Sequence, residues 1–386
     1  MKTTPIALAM WMLALGAGCG GASTGGPDAG VLDKDAGNDP VDSGTPDAGL
    51  PCEGATVPCT VHWTEAEPFP VRVDHHTAFA HSSPAGDFVY VAGGVVANNE
   101  AVAEIYASVR RAKVNADGSL GPWESLADLP RRIAFHAMAL TAERVYLVAG
   151  VTGQAPGSIT TQRAVLVGDF EDDGTITWRV GPNLPESFLH PSAQVVGGRL
   201  YVIGGSGGMM DPKDKVYVST LDETGMPSAF TAGPSLPEPR SHHVTLVHDG
   251  RIYLVGGFRG DQRPIDEVLR SVHDGTGAVT GWELAGAMKS APWTAAGFVY
   301  GEWIYVLGGG EGGPGHERYV NRVRRGHFNA LGAIANGFED VQNSLPIARA
   351  HVHHTPVVHG HVYSIGGRDE TFSSLDRVFI GEMTAE

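Results

Sequence analysis

Histidine and arginine recur at matched places along this 386-residue chain, and they are the side chains with which chemistry would have to be done. Counted back from a repeating tyrosine, His75 and His76, His136, His190, His242 and His243, and His353 correspond; Arg72, Arg132, Arg240 and Arg349 precede them by three or four residues. Imidazole is a common metal ligand and changes charge near neutral pH, so a ring of histidines would suit a metal or a bound ligand. Guanidinium forks match carboxylates, so converging arginines would favour an anionic sugar or a carboxylate-bearing peptide; the alternative is that they stabilise turns. Glu311, Glu317 and Glu370, with Arg259 or Arg368, have the chemistry of an acid and base flanking a sugar ring, although no spacing marks them out. His351-Val-His353 and His359-Gly-His361 are spaced like ligands, yet the first pair, i and i+2 on one strand face, needs only a common packing environment, and the second sits on a turn at the opposite face. No metal and no cofactor is required by any of these patterns.

The elements that must position these residues are visible as a repeat. An apolar, β-branched-rich run ending in a glycine pair begins at Tyr90, Tyr146, Tyr201, Tyr253, Tyr305 and Tyr363, at intervals of 52 to 58 residues. Such a run is a buried strand with a sharp exit, and a period near 50 residues indicates a propeller. The fourth copy predicts strand a at His242–Val247, strand b at Arg251–Val255, strand c at Glu267–Val272 and strand d at Val279–Leu284. Strand d positions carry Trp123, Trp178, Phe230, Trp282 and Phe338, large rings suited to packing between neighbouring sheets. The sixth copy ends with a strand c at Arg377–Gly381 and has no strand d, while an orphan strand around Trp63 precedes the first copy. The N-terminal strand should therefore complete the last blade and remove two open edges.

The glycine pairs, the spaced aromatics and the Leu129-Pro, Leu184-Pro, Leu236-Pro and Leu345-Pro turns resemble the kelch repeat. The resemblance implies an all-β, six-bladed kelch-type β-propeller over residues 52–386, closed by its N-terminal strand. It also implies that histidines and arginines at the start of strand a hydrogen-bond loop carbonyls. Blade two departs with Ala149-Gly150, and blade five lacks both the Leu-Pro turn and the histidine. Antiparallel order places the longer b-to-c loops on one face, at the channel mouth, and short turns such as Asp249-Gly250 on the other.

Residues 1–18 have the positive start, apolar run and small residues of an export signal. Cys19 follows as in a bacterial lipobox, which implies lipid attachment and sorting to an outer membrane or cell surface, with secretion as the alternative. Residues 19–51 are an acidic Gly/Pro/Asp tether with few apolar side chains to bury. Cys52 and Cys59, separated by six residues in an exported chain, are expected to form a disulfide. A net charge of −16 argues against nucleic acid and against membrane contact other than through the lipid. The pattern points to a monomeric binding module taking a protein or glycan at the channel mouth; the alternative is a carbohydrate-active enzyme resembling the kelch-type sialic acid mutarotases. A copper centre of the galactose-oxidase kind is excluded, since it resembles a tyrosine crosslinked to a cysteine and no cysteine follows Cys59.

Overall fold

The computed structural model describes residues 58–385 apart from 100, 155–157, 209–210 and 314–315. The export signal, Cys19, the tether and Cys52 lie outside the described residues, where Cys59 opens the first strand. Strand b of each repeat is apolar without alternation because both of its faces are covered; in Arg251–Val255 the last four residues are all buried. Six such strands seed six four-stranded antiparallel sheets arranged around an axis, and no helix occurs among the described residues. The apolar material is divided accordingly into cores between consecutive sheets instead of one central core. The six strand-d aromatics distribute one to each: Trp63 between blades five and six, Trp123 between six and one, Trp178 between one and two, and so on around the ring. Phe230, Trp282 and Phe338 complete the series, each facing the preceding blade.

The termini meet as the orphan strand requires. Cys59–Glu65 pairs antiparallel with Val378–Ala385, and Trp63 lies opposite Gly381. A side chain at Gly381 would collide with Trp63 and Val61, so the glycine makes the room that the indole occupies. Strand c of the last blade runs four residues beyond Gly381, its predicted end, because the N-terminal strand offers a partner as far as Cys59↔Ala385. Strand a of blade four begins at Val244, not His242, since His242 adopts φ +59° and cannot extend a strand. The mouth-side loops also hold structure that their polarity hides: two-stranded ribbons pair Val95–Asn98 with Ala101–Ile105, Val151–Thr152 with Thr160–Thr161, and Gly310–Glu311 with Arg318–Tyr319.

Two features of the repeat do the joining. Each glycine pair sends the N–H of its second residue to a carbonyl of the next blade: Gly94 to Ile133, Gly150 to Phe188, Gly205 to Arg240, Gly257 to Pro292, Gly309 to Arg349, and Gly367 to Val73, all at 2.8–2.9 Å. The approach is so close that a Cβ on Gly256 would lie 2.2 Å from the Pro292 oxygen, and φ is +65° there. Ala149 takes the same left-handed conformation in blade two, so the departure from Gly-Gly costs local strain and leaves the Gly150 bond intact. The repeating tyrosine spans the same junction further out. Tyr90, Tyr146, Tyr253 and Tyr363 donate their hydroxyls to Gly174, Gly225, Gly332 and Gly118 carbonyls in the following blade's c-to-d turn. Tyr201 accepts from the Val279 N–H, and Tyr305 reaches the Cys59 carbonyl of the N-terminal strand.

Tyr363→Phe removes the donor from a buried contact between blades six and one and strands the Gly118 carbonyl. The substitution should lower unfolding free energy by about 1–3 kcal/mol in urea at unchanged denaturant slope. A loss within a few tenths would show that the hydroxyl does not support the junction.

Candidate functional site

The residue that enters strand a is the one that faces the axis. His75, Phe135, His190, His242, Thr294 and His351 occupy equivalent places, one per blade, and all have φ between 46° and 60°. The residue before each makes a single bridge to its own blade just past the glycine pair, from Asp74↔Val95 round to Ala350↔Arg368. Their backbones also hand on hydrogen bonds: His351 N–H to Thr294, His75 to His351, Phe135 to His75, His190 to Phe135, and Thr294 to His242. The side chains fill the mouth of the channel as a packed group of rings. His75 stacks on Phe135 and His190 on His242, each at 3.8 Å between centroids. His351 lies 4.1 Å from His75, and its Nε2 shares a hydrogen bond of 3.1 Å with the Tyr319 hydroxyl.

The predicted histidines thus divide into two sets that alignment on the tyrosines merges. His136 stands one residue past the axial position, which belongs to Phe135, and His353 two past, where His351 is axial. The signal was present: positions 135, 190, 242 and 294 each precede their tyrosine by eleven residues. His76, His136 and His243 are buried between blades. His136 Nε2 shares a hydrogen bond of 3.3 Å with Thr77 Oγ1, and His243 Nε2 one of 2.8 Å with Ser192 Oγ, each across a junction. The partners of His136 and His243 are hydroxyls of the preceding blade, not the loop carbonyls that the repeat pattern implies. Burial holds all three neutral. It takes His76 down to about 3, helped by neighbouring His353, and His243 to about 3, helped by Arg240, with His136 well below its ordinary range.

The arginines do not converge on a cationic mouth. Arg240 is 0% exposed and Arg349 2%, because the Leu-Pro turn that precedes each inserts its leucine between blades and carries the guanidinium in beneath the loop. Arg240 donates to the Glu267 carbonyl at 3.3 Å and lies within 3.8 Å of the Glu238 and Glu267 carboxylates; burial draws it down to about 10. Arg349 donates to Ser364 and sits 4.6 Å over the Phe379 ring, with burial taking it to about 9. Arg132 pairs with Glu104 at 3.0 Å, Arg259 with Glu238 at 3.3 Å, and the exposed Arg72 donates to Asn98. Arg368 is buried and reaches inward to Asp74 at 2.9 Å.

Of the candidate acids, Glu311 is buried among Arg318, Arg322 and Arg324. Burial opposes its ionisation, yet Arg324 and its two neighbours hold the carboxyl below the usual carboxylate range, which unfits it as a proton donor near neutrality. A hollow of about 570 Å³ does exist, but on the opposite face, lined by Asp87, Lys113, Asn115, His359, His361 and Glu382. Among the described residues a group able to hold an ion lies on the axis: His75, His190 and His353 bring one ring nitrogen each within 4.8 Å of the others.

A kelch motif matches residues 239–270, the first three strands of blade four. The chain is 30% identical to Kelch repeat protein M-T8 of Myxoma virus over 135 residues, covering 34% of this chain and 24% of that protein. It is 29% identical to Kelch-like protein 34 of Homo sapiens over 208 residues, covering 52% and 31%. The matches therefore span less than a third of these relatives' lengths. The solved structure of YjhT superposes with a TM-score of 0.63 at 13% identity, over 83% of this chain and 99% of that one, which is a likeness of fold. The chain is a six-bladed β-propeller that carries a kelch motif in its fourth blade.

The buried imidazoles make stability depend on pH with a definite sign. His76, His136 and His243 stay neutral when folded, whereas the unfolded chain protonates them below about pH 6.5. Their contribution is complete above that pH and falls as the medium is acidified towards the folded values, by about 1.4 kcal/mol per pH unit for each group. The urea midpoint should hold between pH 8 and 7 and drop between pH 6 and 4.5, with a shallower drop in His243→Gln. A midpoint unchanged down to pH 4.5 would mean that these rings are not buried as neutral bases.

Proposed function

We propose that this chain is an exported, lipid-anchored binding module whose mouth-side loops take a protein partner. Kelch-type propellers are commonly protein-interaction modules, and the coarse reading follows from the fold. The observation that carries the finer one is the filled axis: stacked imidazole and aryl rings occupy the mouth where a small substrate would have to enter. What the face offers instead is its rim. Arg72, Arg263 and Arg318 are exposed there beside Asp261 and Glu370, and Phe258 and Phe372 are partly exposed among them. Mixed charge around scattered aromatics suits a protein surface better than a single anionic ligand. Arg132 and Arg259 contribute at the edge, whereas Arg240 and Arg349 support the loops from below.

A carbohydrate-active role has less behind it. Sugar-ring chemistry needs an acid and a base facing one hollow, and Glu311 is neutralised by its three arginines. The N-terminal signal and the cysteine at 19 support delivery to a membrane surface.

Photocrosslinking residues placed at Gln262 or Glu370 on the loop face, and at Asp249 or Asp173 on the other, test this in the intact anchored protein. Crosslinked protein adducts should form from the first pair and not from the second. Adducts only from the second pair, or interconversion of sialic acid anomers accelerated by the purified chain, would overturn the reading.

A further inference from the structure

We propose that the axis of the propeller holds one divalent transition-metal ion of the imidazole-seeking class, such as Zn²⁺, Co²⁺ or Ni²⁺, ligated by His75, His190 and His353. The three come from blades one, three and six and meet only because the ring closes. His75 and His190 are 1% and 5% exposed, and each has a buried ring nitrogen with no hydrogen-bond partner, Nε2 of His75 and Nδ1 of His190; His353 has one too, Nε2. Buried polar atoms are ordinarily satisfied, so three bare nitrogens in one place call for an acceptor of their lone pairs. A cation is the simplest.

The surroundings are those of a built site. Asp74 is fully buried and accepts from His75 Nδ1–H, which fixes the tautomer and leaves the Nε2 lone pair directed elsewhere. Asp74 is itself held by the Ser374 hydroxyl and by Arg368 at 2.9 Å, so the orienting carboxylate is anchored from blade six. A carboxylate behind a ligating imidazole is the usual outer shell of a metal centre. His353 is the second observation. Its equivalents in the other blades are Thr77, Ala137, Ser192, Val244 and Ala296, none of them an imidazole, so the repeat does not ask for histidine there. Phe135 and Thr294 likewise show that the left-handed axial position accepts other residues.

Geometry permits the step from cluster to site. Nitrogens at about 2.1 Å from a tetrahedral ion lie roughly 3.4 Å apart, so the present 4.8 Å envelope would contract by a modest rotation of the rings. His242, stacked on His190, and His351, beside His75, wall the site and limit other arrangements. Three imidazoles leave a fourth position for water or for an acidic group of whatever docks on the face. The inference goes beyond the binding role and does not need it.

The test uses the full chain without a polyhistidine tag, stripped with a chelator and titrated with Co²⁺. One ion per chain with the intense visible bands of tetrahedral cobalt, displaced by Zn²⁺, is the expected result. His190→Ala and His353→Ala should each weaken Zn²⁺ binding at least 100-fold, Asp74→Asn 10- to 100-fold, and His359→Ala on the opposite face should leave it unchanged. Near-UV circular dichroism reports whether the variants fold. Should they not fold, Cu²⁺ loaded into the wild-type chain and read by pulsed electron paramagnetic resonance should show three coordinated imidazoles. No stoichiometric binding, binding indifferent to His190 and His353 in folded variants, or fewer than three imidazoles on copper would overturn the proposal.

Discussion

A peptide N–H passed from each blade to the next is the contact on which this molecule depends. Six small sheets have little to hold them individually, since one repeat unit cannot bury its apolar faces without its neighbours. The second residue of every glycine pair donates to the following blade, and the last, Gly367, donates to Val73 in the first. That series has no end. A chain laid out as repeats becomes a ring in which every junction is both packed and hydrogen-bonded, and the tyrosine hydroxyls repeat the connection further out. The two termini share a sheet for the same reason: Cys59–Glu65 against Val378–Ala385 supplies the outer strand without which the junction of blades five and six would lack Trp63 and the carbonyl of Cys59.

Closure decides what can happen at the axis. The glycine pair brings consecutive blades so near that the residue entering strand a must turn into the left-handed region, and its side chain then points at five others like it. Six such side chains fill the mouth. Where they are imidazoles, as at 75, 190, 242 and 351, burial strips them of charge and leaves nitrogens facing one another. Loops that leave the same rim carry the variable and exposed residues. A plugged centre beneath loops that differ from blade to blade would suit the binding role proposed above.

Much of the architecture was legible because it is periodic. The six tyrosine-to-glycine strands announce the blade count, and the unmatched Trp63 announces the closure, since a strand lacking at one end and spare at the other has one resolution. Tyr90 and its counterparts were legible as markers only; that each hydroxyl spans a junction depends on where the next blade's turn lies. The histidines were misaligned by one or two places because Phe135 and Thr294 carry no chemical signal, and only backbone conformation unites them with His75. Arginine burial was invisible for a different reason. Charge suggests surface, and nothing local to Arg240 or Arg349 says that a Leu-Pro turn will carry the guanidinium inside. The pairing of Asp74 with Arg368 and Ser374, some 300 residues away, is a product of closure alone.

Native-state hydrogen exchange at Gly94, Gly150, Gly205, Gly257, Gly309 and Gly367 measures the closed series directly. If the ring opens as one body, all six amides exchange only through global unfolding, with the same free energy and the same steep dependence on denaturant. An amide of Gly367 that exchanges through a separate opening of low denaturant dependence, while the other five remain protected, would contradict the account.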